Sequence, residues 1–374
     1  MTILAIETSC DETAMALLEA NGGLRAPKFK VLKNIVSSQI ETHRPFGGVV
    51  PNLAKREHLR NLPIIFRNIL ANSKFQIPNS KQIQNSPDVL AVTVGPGLEP
   101  ALWTGINFAK EIHKEYFPKA KLMGVNHMEG HLYSFLLTQK TEISNFKFLI
   151  SKNTFPAIAL VVSGGHTILL LMQSFTKWKK LGETRDDAVG EAFDKVARIL
   201  GLPYPGGPEI QKIAILGSPT SIDFPRPMMR TKDYDFSFSG LKTAVLYYLR
   251  DHSYESTKSA SWRNENTKSQ NFRKKLQTNV AASFQQAAVE VLVYKTMRAV
   301  REFGAKSVIL AGGVAANKLL RETLQTTTYK LQTNFFAPAM EFNTDNAAMI
   351  GAAAYISFLQ KKNRRLLAQA NLSL

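Results

Sequence analysis

Cysteine is nearly absent from this 374-residue sequence, in which Cys10 stands alone. A single cysteine excludes an internal disulfide framework and suits a reducing compartment. Long apolar runs are also missing, since none approaches the roughly 18–20 residues that span a bilayer. The apolar start at residues 2–6 has no basic flank and leads directly to Glu7, which predicts a first β-strand and not a signal or transit peptide. We therefore expect a cytoplasmic protein with no membrane partner.

Acidic residues are in the minority. Lys and Arg number 47 against 29 Asp and Glu, so the formal net charge is +18. Such an excess favours a polyanionic partner, because phosphate contacts release condensed counterions. The alternative is a generally basic proteome. Basic residues are concentrated in an expected insertion at residues 251–275 and in the tail from residue 361, and the polar composition of both predicts solvated, mobile segments.

Short β-branched or apolar runs alternate with longer stretches of helical period, a pattern typical of α/β proteins with parallel or mixed sheets. Strands are predicted at residues 3–7, 89–94, 121–125, 157–162, 168–172 and 307–311. Helices are predicted at residues 53–70, 101–117, 188–200, 276–303 and 346–359. A stretch without periodicity near residue 150 predicts the boundary between two domains, residues 1–150 and 151–374.

The sharpest local motif is His127-Met128-Glu129-Gly130-His131. Two histidines four residues apart on a helix project from one face, at a spacing that lets two imidazoles share a metal ion. The alternative is a pair of surface histidines. In the zinc-protease motif H-E-x-x-H the glutamate directly follows the first histidine, whereas Met128 holds that position here. The motif predicts metal binding and argues against a metallopeptidase.

A third metal ligand has to come from elsewhere in the chain. Asp345 stands at the expected N-terminus of an Ala-rich helix, where an aspartate could also serve as the N-cap. Two imidazoles and one carboxylate suit a first-row divalent ion and leave coordination positions open for substrate oxygens. Iron and zinc both satisfy this ligand set.

Gly-rich turns supply candidate nucleotide contacts. One follows an apolar strand at residues 163–167, and another, at residues 312–317, leads from a strand into a helix. Glycine permits close approach of the backbone to an anion, and a helix N-terminus offers unpaired N–H groups. Within the expected helix at residues 188–200, Asp194 could bind ribose hydroxyls or be an ordinary exposed acid.

These motifs also occur in a familiar order along the chain. They are ETSCDET at residues 7–13, GGVVP at 47–51, GPG at 95–97, HMEGH at 127–131, SGGHT at 163–167, GEAFDKVA at 190–197, YPGGP at 204–208, FSFSGLKT at 236–243, GGVAAN at 312–317 and TDNAAM at 344–349. The set resembles the tRNA N6-adenosine threonylcarbamoyltransferase family, called TsaD in bacteria. Each motif is modest, but all of them in this order are highly specific.

The resemblance implies an α/β fold of the actin/Hsp70/sugar-kinase type, with two lobes and a deep interlobe cleft. It also implies an acyltransferase that moves a threonylcarbamoyl group from threonylcarbamoyl-adenylate to the N6 amine of adenosine 37. That adenosine lies beside the anticodon in tRNAs reading codons that begin with A, and AMP is released. The implied partners are tRNA, the adenylate, a catalytically inactive paralogous subunit and a small ATPase.

Carried over position by position, the resemblance implies roles for individual residues. His127, His131 and Asp345 are the implied ligands of one divalent metal ion, Fe²⁺ in the family's usual form and Zn²⁺ as the alternative. Asp11 and Glu12 are the implied catalytic acids at the reacting end. The implied adenylate pocket consists of Val161, Val162, Ser163, Gly164, Gly165, His166, Asp194, Gly207, Gln211 and Asn317. At Gln211 the family often has Asp or Ser, so this position departs from the pattern.

Three other functions share parts of the pattern. A kinase or ATPase of the same fold could use the Gly-rich turns, but such enzymes hold magnesium through carboxylates and phosphates and not through imidazole pairs. A metallopeptidase is disfavoured by the position of Glu129. A nucleic-acid-binding module without catalysis is disfavoured by the combination of metal and nucleotide motifs.

Overall fold

The structure, a computed structural model, describes residues 1–71, 86–137, 154–252 and 267–374. Its residues fall into two compact units, Met1–Asn153 with Ala337–Leu374, and Thr154–Phe336. This division differs from the expected domains 1–150 and 151–374, because the end of the chain returns to the first unit. Most of the expected basic insertion, from residue 253 to 266, lies outside the described residues.

The first unit is built on a mixed sheet with the strand order β3-β2-β1-β4-β5. Strands β1 to β3 form an antiparallel meander, and β4 and β5 run parallel to β1. The central strands β1 and β4 are apolar and buried along nearly their whole length, as expected for strands covered on both faces. The strands are β1 (Thr2–Glu7), β2 (Glu12–Asn21), β3 (Lys28–Ser38), β4 (Val89–Gly95) and β5 (Lys121–Asn126).

Helices cover both faces of this sheet. Those described are α1 (Ile40–His43), α2 (Pro51–Ala71), α3 (Glu99–Glu115), α4 (His127–Tyr133) and α10 (Ala347–Leu359). Leu17 of β2 joins the apolar cluster formed with α2 and α3. The next residue, Leu18, points to the other face, where its Cδ2 would lie 2.2 Å from a Cβ at Gly351 of α10. The close contact explains why α10, composed almost entirely of apolar and small residues, packs with the first unit.

The second unit repeats the strand topology of the first, with the order β10-β9-β6-β7-β8. Again three antiparallel strands are followed by two parallel ones. The strands are β6 (Ala157–Val162), β7 (Thr167–Ser174), β8 (Lys177–Glu183), β9 (Ser307–Ala311) and β10 (Asn334–Phe336). The described helices are α5 (Val189–Ile199), α6 (Gly206–Ala214), α7 (Ser239–Asp251), α8 (Thr267–Glu302) and α9 (Lys318–Lys330).

Every strand and helix expected from the sequence is present, although the long helix α8 begins well before its expected start. The expectation of a mobile C-terminal tail was wrong. Arg364 forms a β-bridge with Gly124, and the amide of Gln369 donates to the carbonyl of Val94. The tail is thus held by backbone pairing, which its basic composition does not reveal. No described helix is long and apolar enough to cross a bilayer.

Candidate metal centre and nucleotide-binding turns

Helix α4 carries the two histidines of the sequence motif. Strand β5 ends at Asn126, whose side-chain oxygen accepts hydrogen bonds from the amides of Met128 and Glu129 at 2.7 and 3.2 Å. This N-cap starts the helix at His127 and satisfies amides that would otherwise have no partner. The rings of His127 and His131 meet edge to face, with 4.7 Å between their centroids and 83° between their planes.

Asp345 lies beside these histidines. Its Oδ1 is 3.0 Å from Nε2 of His131 and 3.5 Å from Nε2 of His127. The N-cap of α10 is the next residue, Asn346, which accepts from the amide of Met349, so the capping role considered for Asp345 falls to its neighbour. Gly130 allows the approach of the two helices, because a Cβ there would lie 2.9 Å from Cδ1 of Ile350.

The three side chains fit a metal ion. One potential ligand atom from each lies within 4.8 Å of the others. His131 is fully buried, yet neither ring nitrogen has a hydrogen-bond partner among the described residues, and the short contact with Asp345 lacks hydrogen-bond geometry. A buried polar atom without a partner costs about 1–3 kcal/mol, which coordination would remove. His127, His131 and Asp345 could therefore hold a first-row divalent ion.

Glu7 lies behind His127 and is fully buried. Its Oε2 accepts from Nδ1 of His127 at 3.0 Å and from the hydroxyl of Thr93 at 2.6 Å, and its Oε1 accepts from the amide of Ser9. Burial by itself would raise the pKa of Glu7, but His127 and these hydrogen bonds lower it overall. Burial would depress the pKa of His127, yet Asp345 and Glu7 raise it to about 9 when no ion is bound.

Asp11 lies in the turn between β1 and β2, and Glu12 is the first residue of β2. The hydroxyl of Ser9, in the same turn, lies 3.1 Å from Nδ1 of His127. Burial, followed by the charges of Asp11 and Asp345, raises the pKa of the Glu12 carboxyl well above its usual value. The Glu12 carboxyl thus lies close enough to the expected metal ligand Asp345 to feel its charge.

The second unit brings two of the Gly-rich turns together. Gly312 has φ +91°, and a Cβ there would lie 2.2 Å from the carbonyl oxygen of Val162. A Cβ at Gly190, near the start of α5, would lie 2.5 Å from the carbonyl oxygen of Ser163. Within the turn, the amide of His166 donates to the Ser163 hydroxyl. A larger residue at Gly312 or Gly190 would collide with the backbone at the end of β6, which includes Val161 and Val162. Glycine at these two positions therefore allows the turn at residue 312 and the start of α5 to pack against the end of this strand.

The other polar residues of the expected pocket make contacts at the N-termini of α6 and α9. Asn317 caps α9 and donates to Oε1 of Gln285, whereas Gln211 accepts from the amide of Lys318. Asp194 accepts from the amide of Gly206 at 2.7 Å. An added Cβ at Gly164, Gly165, Gly207 or Gly313 would meet nothing within 4 Å, so the backbone at these glycines borders open space.

Comparison with known proteins identifies the family. The family model described as TsaD, tRNA N6-adenosine threonylcarbamoyltransferase, matches residues 30–352. The chain belongs to this family. A relative of that name from Thermosipho melanesiensis is 45% identical over the full length of both chains. Another from Halalkalibacterium halodurans is 44% identical over 96% of this chain and 92% of its own.

Among solved structures, the chain resembles two HypF structures. HypF from T. kodakarensis matches with a TM-score of 0.53 at 15% identity over 96% of this chain. A full-length HypF in its phosphate- and nucleotide-bound form matches with a TM-score of 0.54 at 12% identity. This chain spans 47% and 55% of those two chains, about half of each. At such low identity the likeness shows the fold alone, which is α/β of the actin/Hsp70/sugar-kinase type.

The TsaD family, the α/β fold class and the class of tRNA-modifying transferase were all expected from the sequence and are confirmed. Residue-level reasoning missed Glu7 and Arg364. Glu7 was visible as a charged residue that ends an apolar strand, which is a signal for a buried ion pair. Arg364 gave no such signal, because its partner Glu129 is distant in sequence.

Proposed function

We propose that this TsaD-family chain transfers the threonylcarbamoyl group of threonylcarbamoyl-adenylate to the N6 amine of adenosine 37. Its substrates would be tRNAs that read codons beginning with A, and AMP would be released. The observation that carries the proposal is the convergence of His127, His131 and Asp345 in a chain of this family. Their geometry suits one divalent ion, which we propose to be Fe²⁺, with Zn²⁺ as the alternative.

The proposed ligands leave positions open for substrate. A bound divalent ion would supply Lewis-acid polarisation of the carbamoyl or phosphate oxygens and would neutralise charge on the departing AMP. His127 and His131 contribute neutral imidazole donors and Asp345 one negative charge. With a divalent ion, this ligand set by itself would carry one net positive charge, which favours an anionic adenylate.

The adenylate pocket is proposed to consist of the Gly-rich turns of the second unit. Ser163, Gly164 and Gly165, which follow Val161 and Val162, offer backbone N–H groups to the phosphate, and His166 closes the same turn. Gly207, Asp194 and Asn317 are assigned to the nucleoside, with Asp194 on the ribose hydroxyls. Gln211 already accepts from Lys318, so its side-chain amide nitrogen is the group proposed to contact the ligand.

The acidic pair Asp11 and Glu12 is proposed to handle the proton. The N6 amine attacks the carbonyl carbon of the carbamoyl group, the bond from that carbon to the adenylate oxygen breaks, and the electron pair leaves with AMP. The amine proton passes to the carboxyl pair, in which the pKa of Glu12 is raised by burial and by Asp11. The N6 amine is a weak base, so once it has attacked it loses its proton readily and needs no strong catalytic base. We therefore attribute much of the acceleration to positioning of the amine against the carbonyl carbon.

The proposed partners follow from the family resemblance and the charge. tRNA suits a chain with a net charge of +18. A catalytically inactive paralogous subunit and a small ATPase are proposed to assist turnover. The cytoplasm, where tRNA and adenylates are available, is the proposed location of the protein.

The decisive experiment is transfer of labelled threonylcarbamoyl from its adenylate to unmodified tRNA, with and without the two partner proteins. We expect one label for each AMP released, and label only on tRNA with adenosine at position 37. A matched tRNA with guanosine at that position is the control. Release of AMP without label on tRNA, or equal labelling of the control, would contradict the proposal.

A further inference from the structure

Glu7 is placed between the body of the first unit and the metal ligand His127. Its carboxylate receives three hydrogen bonds, from Ser9, Thr93 and His127, and it is fully buried. Oε1 faces the amide of Ser9, while Oε2 is shared by the hydroxyl of Thr93 and by Nδ1 of His127. All three partners donate to Glu7. This arrangement suits an ionised carboxylate, because its oxygens can only accept hydrogen bonds.

The hydrogen bond to Nδ1 determines which nitrogen of His127 is available. Since a carboxylate cannot donate, the proton of the neutral ring stands on Nδ1 and the lone pair on Nε2. Nε2 is the ring nitrogen on the side of Asp345, 3.5 Å from its Oδ1, so the lone pair is available to an ion held between the two residues. His131 differs, because its Nδ1 has no hydrogen-bond partner among the described residues. The two ligands are therefore held to different degrees. Glu7 supplies the charged contact that makes the difference, and the hydroxyl of Ser9 lies 3.1 Å from the same Nδ1.

We infer that Glu7 is a positioning residue for the metal. It orients the His127 ring, fixes the proton on Nδ1 and places a second negative charge behind the ligand shell. This inference rests on the metal role in the proposed function. Residues that support a metal-bound histidine in this manner typically contribute roughly 10–100-fold in metal affinity.

Glu7→Gln tests the inference with almost no change in shape. If the amide oxygen faces His127 and Thr93, the NH₂ group meets the amide of Ser9, donor against donor. If the side chain flips, the NH₂ group faces Nδ1 of His127 and favours the tautomer with its proton on Nε2. Either orientation weakens zinc binding, and we expect a dissociation constant roughly 10–100-fold higher in competition with a chelator of known affinity. The visible absorption bands of the Co²⁺-loaded protein should change as well.

Glu129→Gln is the matched control. Glu129 is also a buried carboxylate and lies on the helix of the histidines, but its partner is Arg364. We expect this variant to unfold at a lower urea concentration. Its dissociation constant for zinc should stay within about twofold of wild type, and its Co²⁺ absorption bands should not change. Equal loss of affinity in both variants would show that helix stability, and not the contact with His127, is what matters, and would overturn the inference.

A measurement on the wild type keeps the inference testable if Glu7→Gln does not fold. In the zinc-loaded protein with ¹⁵N-labelled histidine, we expect a downfield, slowly exchanging proton on Nδ1 of His127. Zinc on Nδ1, or no protected ring proton, would overturn the role of Glu7. Absence of stoichiometric metal in wild type would instead contradict the proposed function, so the two failures are distinguishable.

Discussion

Arg364 donates a hydrogen bond to the buried carboxylate of Glu129, with 2.5 Å between Nη2 and Oε1. The pair joins the C-terminal tail to the helix that carries His127 and His131. The side-chain amide of Asn126, which caps this helix, also donates to the carbonyl of Ser373 in the tail. A helix of seven residues is too short to be stable alone, so these contacts contribute to the folding stability of the first unit.

Arg364→Ala should therefore destabilise the first unit. The substitution leaves Glu129 buried without its charged partner, which we expect to reduce the free energy of unfolding by about 1–3 kcal/mol. Urea denaturation measures the effect. Arg365→Ala, at the exposed neighbouring residue, is the control and should change stability by less than about 0.5 kcal/mol. Equal effects of the two substitutions would show that the ion pair is unimportant.

His131→Ala should abolish both bound metal and transfer activity while the protein stays folded. The variant removes one of three ligands and leaves two, which is too few to retain an ion stoichiometrically. Metal content by elemental analysis and transfer to unmodified tRNA are measured on the same sample. His113→Ala is the control, because His113 is on α3 and contacts the carbonyl of Ala120. Turnover retained by metal-free His131→Ala would refute the role of the ion.

The sequence predicted the fold class well, because periodicity reflects burial. Strand β6, with six buried apolar residues, and the apolar helix α10 were both recognisable. Strand β3 was not, since its exposure alternates at an edge and its sequence is rich in Lys. The return of residues 337–374 to the first unit was also missed. It depends on tertiary contacts such as Leu18 against Gly351, which leave no local pattern.

The candidate site could be predicted where chemistry follows from spacing. His127 and His131 are one helical turn apart, so their pairing is a local property. Asp345 was a candidate third ligand or N-cap from the sequence, and the resemblance to the family favoured the ligand role. The structure gives the capping role to Asn346. Glu7 was missed because its role depends on a contact with a residue 120 positions away.

Gly312→Ala should damage the second unit far more than Gly313→Ala. At Gly312 the backbone has φ +91°, a conformation that residues with a Cβ rarely adopt. A Cβ would also lie 2.2 Å from the carbonyl oxygen of Val162, and this backbone atom cannot move away without distorting β6. A Cβ at Gly313 would meet nothing within 4 Å. We expect a loss of about 2 kcal/mol or more for Gly312→Ala and about 1 kcal/mol or less for Gly313→Ala. Urea unfolding of both variants provides the comparison, and a similar loss in both would contradict the strain argument.

Stability should decrease at mildly acidic pH through His58. This fully buried ring donates from Nε2 to the carbonyl of Cys10, and its Nδ1 lies 2.8 Å from the hydroxyl of Thr13. Burial lowers the pKa of His58 below its usual value of 6.5. The unfolded chain therefore takes up the proton first, so the contribution of His58 is complete above pH 6.5 and is lost as the pH falls toward the lower folded pKa.

The measurement is the unfolding free energy in urea at pH 7.5 and pH 5.0. The decrease between these two values should be smaller in His58→Gln than in wild type, because glutamine does not titrate. His252→Gln, at the exposed end of α7, is the control and should keep the wild-type decrease. An unchanged decrease in His58→Gln would exclude this histidine as the source.

Charge reversal of Arg273, Lys274 and Lys275 to Glu should weaken tRNA binding. These residues lie in the first turns of α8, immediately after the undescribed segment that carries further basic residues, and Lys274 and Lys275 are exposed. Removal of one ionic interaction with a phosphate reduces the slope of log affinity against log salt by roughly 0.7–0.9. Reversal of Lys177, Lys179 and Lys180 on the edge strand β8 changes the net charge equally. If the two triple variants show the same decrease in affinity and slope, net charge alone explains tRNA binding, whereas a decrease confined to the α8 variant locates phosphate contacts at the start of that helix.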